Sequence, residues 1–136
     1  FEILHHYLNK VLQKDFPKNN NFATNSCPDS WICIEFLKHQ VIPTNYTIRS
    51  NNCSSNGPHP RSWVIEGRSS DSTDWEIIDE QKENSSLNGL NRIITLPIQS
   101  QKQNKFKYIR IRQTGVNWGN NNFLYLNYIE IFGTIF

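Results

Sequence analysis

From Trp31 to the end of the chain, apolar residues recur at every second position in short runs, and each run stops at a cluster of Asn, Ser, Gly or Pro. A strand turns successive side chains to opposite faces, whereas a helix repeats every ~3.6 residues, so this pattern predicts strands with one buried face. Ile32, Ile34 and Phe36 alternate with Trp31, Cys33 and Glu35, and Tyr46 and Ile48 continue the pattern over 44–49, after a Pro43 that blocks a helix. Strand character returns at 63–68 and 75–79, joined by the hairpin-like stretch 69–74, and again at 92–98, where Ile94, Leu96 and Ile98 share a face. In 106–113, Ile109 and Ile111 face one way while Tyr108, Arg110 and Arg112 face the other. In the last run Leu124 and Leu126 share one parity and Ile129 and Ile131 the other, which predicts a bulge near Asn127 and Tyr128. About seven such strands, separated by polar loops at 50–60, 84–89 and 114–122, predict an all-β antiparallel sandwich.

The N-terminus reads differently. Leu4, Leu8, Val11 and Leu12 recur at helical spacing, predicting a short amphipathic helix over 1–13, with a strand over 1–8 as the competing reading. A chain of 136 residues fits one domain, 1–136, in which 1–30 is the divergent part.

Composition narrows the function. Charged residues make up 19% and the net charge is +2, a balance that offers no strong field for nucleic acid or an anionic membrane. No apolar run approaches the ~18 residues of a membrane span. The chain opens on Phe1 rather than Met, so it reads as a piece of a larger multidomain protein. Its cysteines are Cys27, Cys33 and Cys53, an odd set that predicts a reducing, cytoplasmic setting. Glycosylation-type triplets at Asn45, Asn52 and Asn84 keep an extracellular or cell-surface alternative open.

Signals for catalysis are missing. His5, His6, His39 and His59 sit in no nucleophile motif, and Asp71 and Asp74 are explained by a hairpin turn. Cys27 and Cys33 with His59 lack the paired spacing of a zinc site, and no glycine loop cradles a phosphate. The expectation is a non-enzymatic module with no metal and no cofactor.

Several segments together resemble the coagulation factor 5/8 type C, or discoidin-like, domain family. They are the strand from Trp31 to Phe36, the strand from Tyr46 to Ser50, Trp63-Val-Ile-Glu-Gly followed by Trp75, Tyr108-Ile-Arg-Ile-Arg, and the closing Tyr128-Ile-Glu-Ile-Phe-Gly. The Ser-Trp-Val-Ile-Glu-Gly and Arg-Gln-Thr-Gly stretches are most similar to an intracellular branch that accompanies BTB-type adaptor domains. The resemblance implies a galactose-binding-like jelly roll whose loops at one end hold the ligand. Many members hold a structural calcium in an Asp-Gly loop upstream of Trp31; residues 9–30 contain no Asp-Gly. The resemblance thus brings together part of 19–30, the 50–61 loop and the 114–123 loop.

On those loops the candidate ligand-binding residues are Arg49, Asn51, His59, Arg61, Arg112, Asn117, Trp118 and Asn120. Arg49 and Arg112 could clamp a carboxylate or sugar hydroxyls, with ordinary cross-sheet ion pairs as the alternative. Trp118 could stack on a sugar or hold a peptide side chain, or else fold back as a plug; His59 could donate to a ligand or be a turn residue. Trp31, Trp63 and Trp75 are expected in the core. Two partners are weighed: a protein or peptide, and a carbohydrate of galactose type. Phospholipid headgroups are a weaker third, since only Trp118 and Phe123 offer apolar loop tips.

Overall fold

The computed structural model describes the backbone of Glu2–Ile3 and residues 21–136. Among the described residues nine strands run in the order β1 Glu2–Ile3, β2 Phe22–Ala23, β3 Trp31–Glu35, β4 Val41–Ser50, β5 Trp63–Arg68, β6 Glu76–Gln81, β7 Ile93–Pro97, β8 Tyr108–Gln113 and β9 Tyr125–Ile135, with a 3-10 turn at Ser85–Leu87. They form a five-stranded sheet, β1-β3-β8-β5-β6, and a four-stranded sheet, β2-β9-β4-β7. All pairs are antiparallel except β1 with β3, which is parallel. Glu2–Ile3 bears out part of the strand reading of the N-terminus; the helix expected over 1–13 lies otherwise outside the described residues, as does much of the 9–30 region.

Alternation sets which side chains meet. The β3–β8 register places Ile32 against Ile111 and Ile34 against Ile109, and all four are buried. Across the sandwich Tyr46, Ile48, Leu126 and Ile129 supply the other half of the core, with Ile94, Leu96 and Ile98 packed at its edge. Trp63 and Tyr46 are the largest fully buried side chains. Rings of this size fill the space between sheets with little side-chain entropy to lose, which suits a chain with no Met.

Two irregularities position the ends. Between Arg49 and Ser50 the β4–β9 register slips, so that Arg49 faces Tyr128 and Ser50 faces Leu126, leaving Asn127 as the extra residue. This is the bulge that the change of parity predicted. A second slip falls between Pro43 and Asn45. The strand expected over 44–49 therefore starts earlier: β4 begins at Val41 and runs through Pro43, because at a bulge the missing N–H is not needed by the ladder.

The tryptophans divide. Trp63 is core, as expected, but Trp31 and Trp75 are half-buried on the outer face of the five-stranded sheet. Arg110 projects between them, its guanidinium 3.9 Å from the Trp75 ring centre and 5.6 Å from that of Trp31. A guanidinium stacks on an aromatic face by cation–π attraction, so these rings are covered by cations rather than by aliphatic packing.

Candidate functional site

Four loops converge at the sandwich end where β4, β6 and β8 finish: 24–30, 51–62, 82–92 and 114–124. Backbone bonds tie them directly. Trp118 N donates to His59 O at 3.0 Å, Asn84 N to Arg61 O at 2.8 Å, and Asn91 N to Asn51 O at 2.9 Å. The 82–92 loop was not among those expected here; it is brought in by strand pairing of β6 with β5, a contact that no local pattern reveals.

Buried polar side chains hold each loop in shape. Asn51 is fully buried; its Nδ2 donates to Pro58 O at 2.9 Å and Tyr125 O at 3.0 Å, and its Oδ1 accepts from Cys53 N at 3.0 Å. Asn117 plays the same part in the last loop. Its Nδ2 donates to Asn121 Oδ1 at 2.6 Å and Phe123 O at 2.9 Å, while its Oδ1 accepts from Gly119 N at 2.9 Å and Asn121 N at 3.2 Å. An amide offers both donors and acceptors, so a single Asn can replace the missing ladder of a buried loop. His59 is fully buried too, with Nε2 facing Cys53 O at 3.1 Å and Ser54 O at 2.9 Å, so that nitrogen carries the proton. Replacing Asn117 with Ala leaves several of these groups unpaired and is expected to cost about 2 kcal/mol. Urea denaturation checks this, with the midpoint lowered and the slope unchanged.

The arginines do not act together. Arg49 lies on the outer face of the four-stranded sheet, buried, with Nε 2.5 Å from Asn127 Oδ1 and its guanidinium 5.2 Å from the Tyr128 ring centre. Arg112 lies on the outer face of the other sheet, bonded to Glu66 at 2.9 and 3.2 Å and to Asp29 at 2.9 Å. The expected clamp from these two arginines is thus corrected: strand parity turns them to opposite sides of the sandwich, and carboxylate or amide partners engage each. Asn51 and Asn117 are likewise spent on internal bonds, as is His59 Nε2, while His59 Nδ1 is buried without a partner.

What reaches the surface is a smaller set. Arg61 pairs with Glu83 and lies over Trp118, its guanidinium 4.6 Å from the ring centre. Trp118 is half-buried, with Nε1 donating to Asn84 O at 3.3 Å. Asn120 is exposed at the tip with φ of 62°, a left-handed conformation that Asn adopts more readily than most residues. Val116 and Phe123, in the same loop, are 37% and 41% exposed. Of the sequence candidates, Arg61 and Trp118 meet directly, with Glu83 bonded to Arg61, and Asn120 is exposed on the same loop as Trp118. Among the described residues no group of three or more His, Cys, Asp or Glu side chains is placed to hold a metal ion.

The family described as Sad1 / UNC-like C-terminal matches residues 4–135. The chain belongs to this family. It is a non-catalytic binding domain of galactose-binding-like fold. The factor 5/8 type C resemblance read from the sequence holds at the level of this fold, while the matching family is Sad1/UNC-like. Among curated proteins none matches the chain. Among solved structures, a factor 5/8 type C domain from Bacteroides fragilis superposes with a TM-score of 0.67 at 14% identity, covering 93% of this Sad1/UNC-like chain and 80% of the other. The C-terminal domain of a chitobiase from the same organism gives 0.66 at 18% identity, covering 94% and 80%. A family 32 carbohydrate-binding module from Clostridium perfringens, in complex with GalNAc-β-1,3-galactose, gives 0.64 at 14% identity, covering 88% and 79%.

Proposed function

We propose that this Sad1/UNC-like domain recognises a protein or peptide partner through the loop end, with Arg61, Trp118, Val116 and Phe123 as the contact surface and Asn120 at its rim. One observation carries the reading. Asn51 and Asn117 are turned inward onto loop backbone, while the Arg61 guanidinium stacks on the half-buried Trp118 ring in a loop that also exposes Val116 and Phe123. Trp and Arg beside apolar neighbours are the residues that dominate protein interfaces, whereas a sugar site needs a fan of outward donors and acceptors. That Sad1/UNC domains bind protein partners supports the same reading. We place the domain in a reducing compartment, for which the thiols of Cys27 and Cys53, both free, speak.

The test is affinity capture from cytosolic extract with the wild-type chain, with Trp118→Ala and with the milder pair Val116→Ser and Phe123→Ser. Partners retained by the wild type are expected to weaken at least about tenfold in each variant, the scale of losing one interface anchor. An unchanged partner set would overturn the site. Glycan-array binding that is lost in the same variants would replace the protein partner with a carbohydrate.

A further inference from the structure

The opposite pole of the sandwich carries a second feature, unrelated to the loop end. Arg68 closes β5 at the far end from Trp63. Its guanidinium is packed 4.2 Å from the Tyr108 ring centre and 5.2 Å from that of Trp75. Its Nε is buried without an acceptor, and its side chain makes no hydrogen bond or ion pair with any described residue. A buried guanidinium N–H with no acceptor is costly, and in a folded domain it calls for an explanation.

Arg68 lines a hollow of about 370 Å³ together with Trp75, Phe106 and Lys105. Lys105 is also a wall of an adjoining hollow of about 390 Å³, whose other sides include Phe36, Lys38 and Phe136. The charges do not balance. Glu35 is engaged by Lys107 at 3.6 Å, and Glu76 by Lys102 at 3.4 Å and by Asn104 at 3.0 and 3.2 Å. Among the described residues, Arg68, Lys38 and Lys105 face these hollows with no ion-pair partner, against the carboxylate of Asp74 and the terminal carboxylate of Phe136.

We propose that this groove is a second recognition site, which takes the acidic side chains of an extended peptide, with Arg68 as the anchor for one carboxylate and Lys105 for the next. A stacked guanidinium presents its terminal N–H groups in a fixed fork, which matches a carboxylate and loses little freedom on binding. Aromatic walls on either side of Lys105 suit apolar residues between the acids. Asp74 at the rim repels a second negative charge close to Arg68, which favours singly charged carboxylates over phosphate.

Fluorescence anisotropy with a labelled peptide of alternating Glu and Phe tests this on the 136-residue chain. The peptide is expected to bind, and its Gln-for-Glu analogue to bind about tenfold more weakly. Arg68→Gln is expected to lose a similar factor, whereas Trp118→Ala at the other pole changes nothing. Circular dichroism shows whether Arg68→Gln folds; should it not, Arg68→Lys keeps the charge without the fork and is expected to lose about threefold. Equal binding of the Glu and Gln peptides, no loss in a folded Arg68 variant, or full competition by inorganic phosphate would each overturn the proposal.

Discussion

Replacing Glu66 with Gln is expected to destabilise the domain by about 3–5 kcal/mol, the cost of breaking a buried ion pair from one side. Glu66 is 4% exposed, yet lies on the outer face of the five-stranded sheet. Arg110 and Arg112 roof it, Arg110 Nε donating at 2.6 Å and Arg112 Nε and Nη2 at 3.2 and 2.9 Å. Gln keeps the shape but leaves two guanidiniums facing one neutral oxygen, and Arg110 also loses the anchor that holds it against Trp31 and Trp75. Thermal denaturation should register a fall on the order of 10 °C. Acid separates the charge from the packing. Burial alone would raise the Glu66 pKa, but the bonds from Arg112 and Arg110 outweigh it and hold the group below the ordinary carboxylate value. The folded chain therefore binds this proton less readily than the unfolded chain. Its contribution is complete above about pH 4.3 and is lost as pH falls through the depressed folded value. The gap between wild type and Glu66→Gln should accordingly narrow on acidification below that point. A gap that stays constant down to pH 2 would mean the carboxylate charge contributes nothing.

The features legible in the sequence were those written in local parity. Ile32 and Ile34, Ile109 and Ile111, and the slip at Asn127 all announce their faces because a strand's side chains have no choice but to alternate. Parity also turns Arg49 and Arg112 outward, but not toward one another, since which sheet a strand joins is a matter of pairing across the whole chain. Residue type was a weaker guide in the loops. Asn51, His59 and Asn117 have the chemistry of ligand contacts, and the same donors and acceptors serve equally well to satisfy buried loop backbone. Only exposure separates the two uses, and exposure comes with the fold. Trp75 and Trp31 mislead in the opposite sense: a strand tryptophan next to aliphatic residues suggests core, while the arginine that covers both rings sits on a third strand.

A single hydroxyl joins the two largest core residues, so Tyr46→Phe is expected to cost about 3 kcal/mol although it adds no cavity of consequence. Tyr46 donates its hydroxyl proton to Asp79 and accepts from Trp63 Nε1 at 3.1 Å, and all three residues are buried. Phe strands the Trp63 N–H and takes from Asp79 a donor it can ill spare, because one of its two oxygens already lacks a partner and the other keeps only Gln81 at 3.2 Å. The alkaline limb gives an independent measure of the same bond. Burial, and then the bond to Asp79, push Tyr46 far above the ordinary tyrosine pKa; burial and the bond to Glu130 do likewise for Tyr128. A group whose folded pKa is raised stabilises fully below its unfolded value, about 10, and that stability is lost as pH rises further. Each tyrosine contributes a slope that rises from about 0.7 kcal/mol per pH unit at pH 10 toward about 1.4 by pH 11. The wild type should therefore lose stability roughly twice as steeply as Tyr46→Phe between about pH 10 and 11. Equal slopes in urea titrations over that interval would mean that the Tyr46 hydroxyl already meets water in the folded chain.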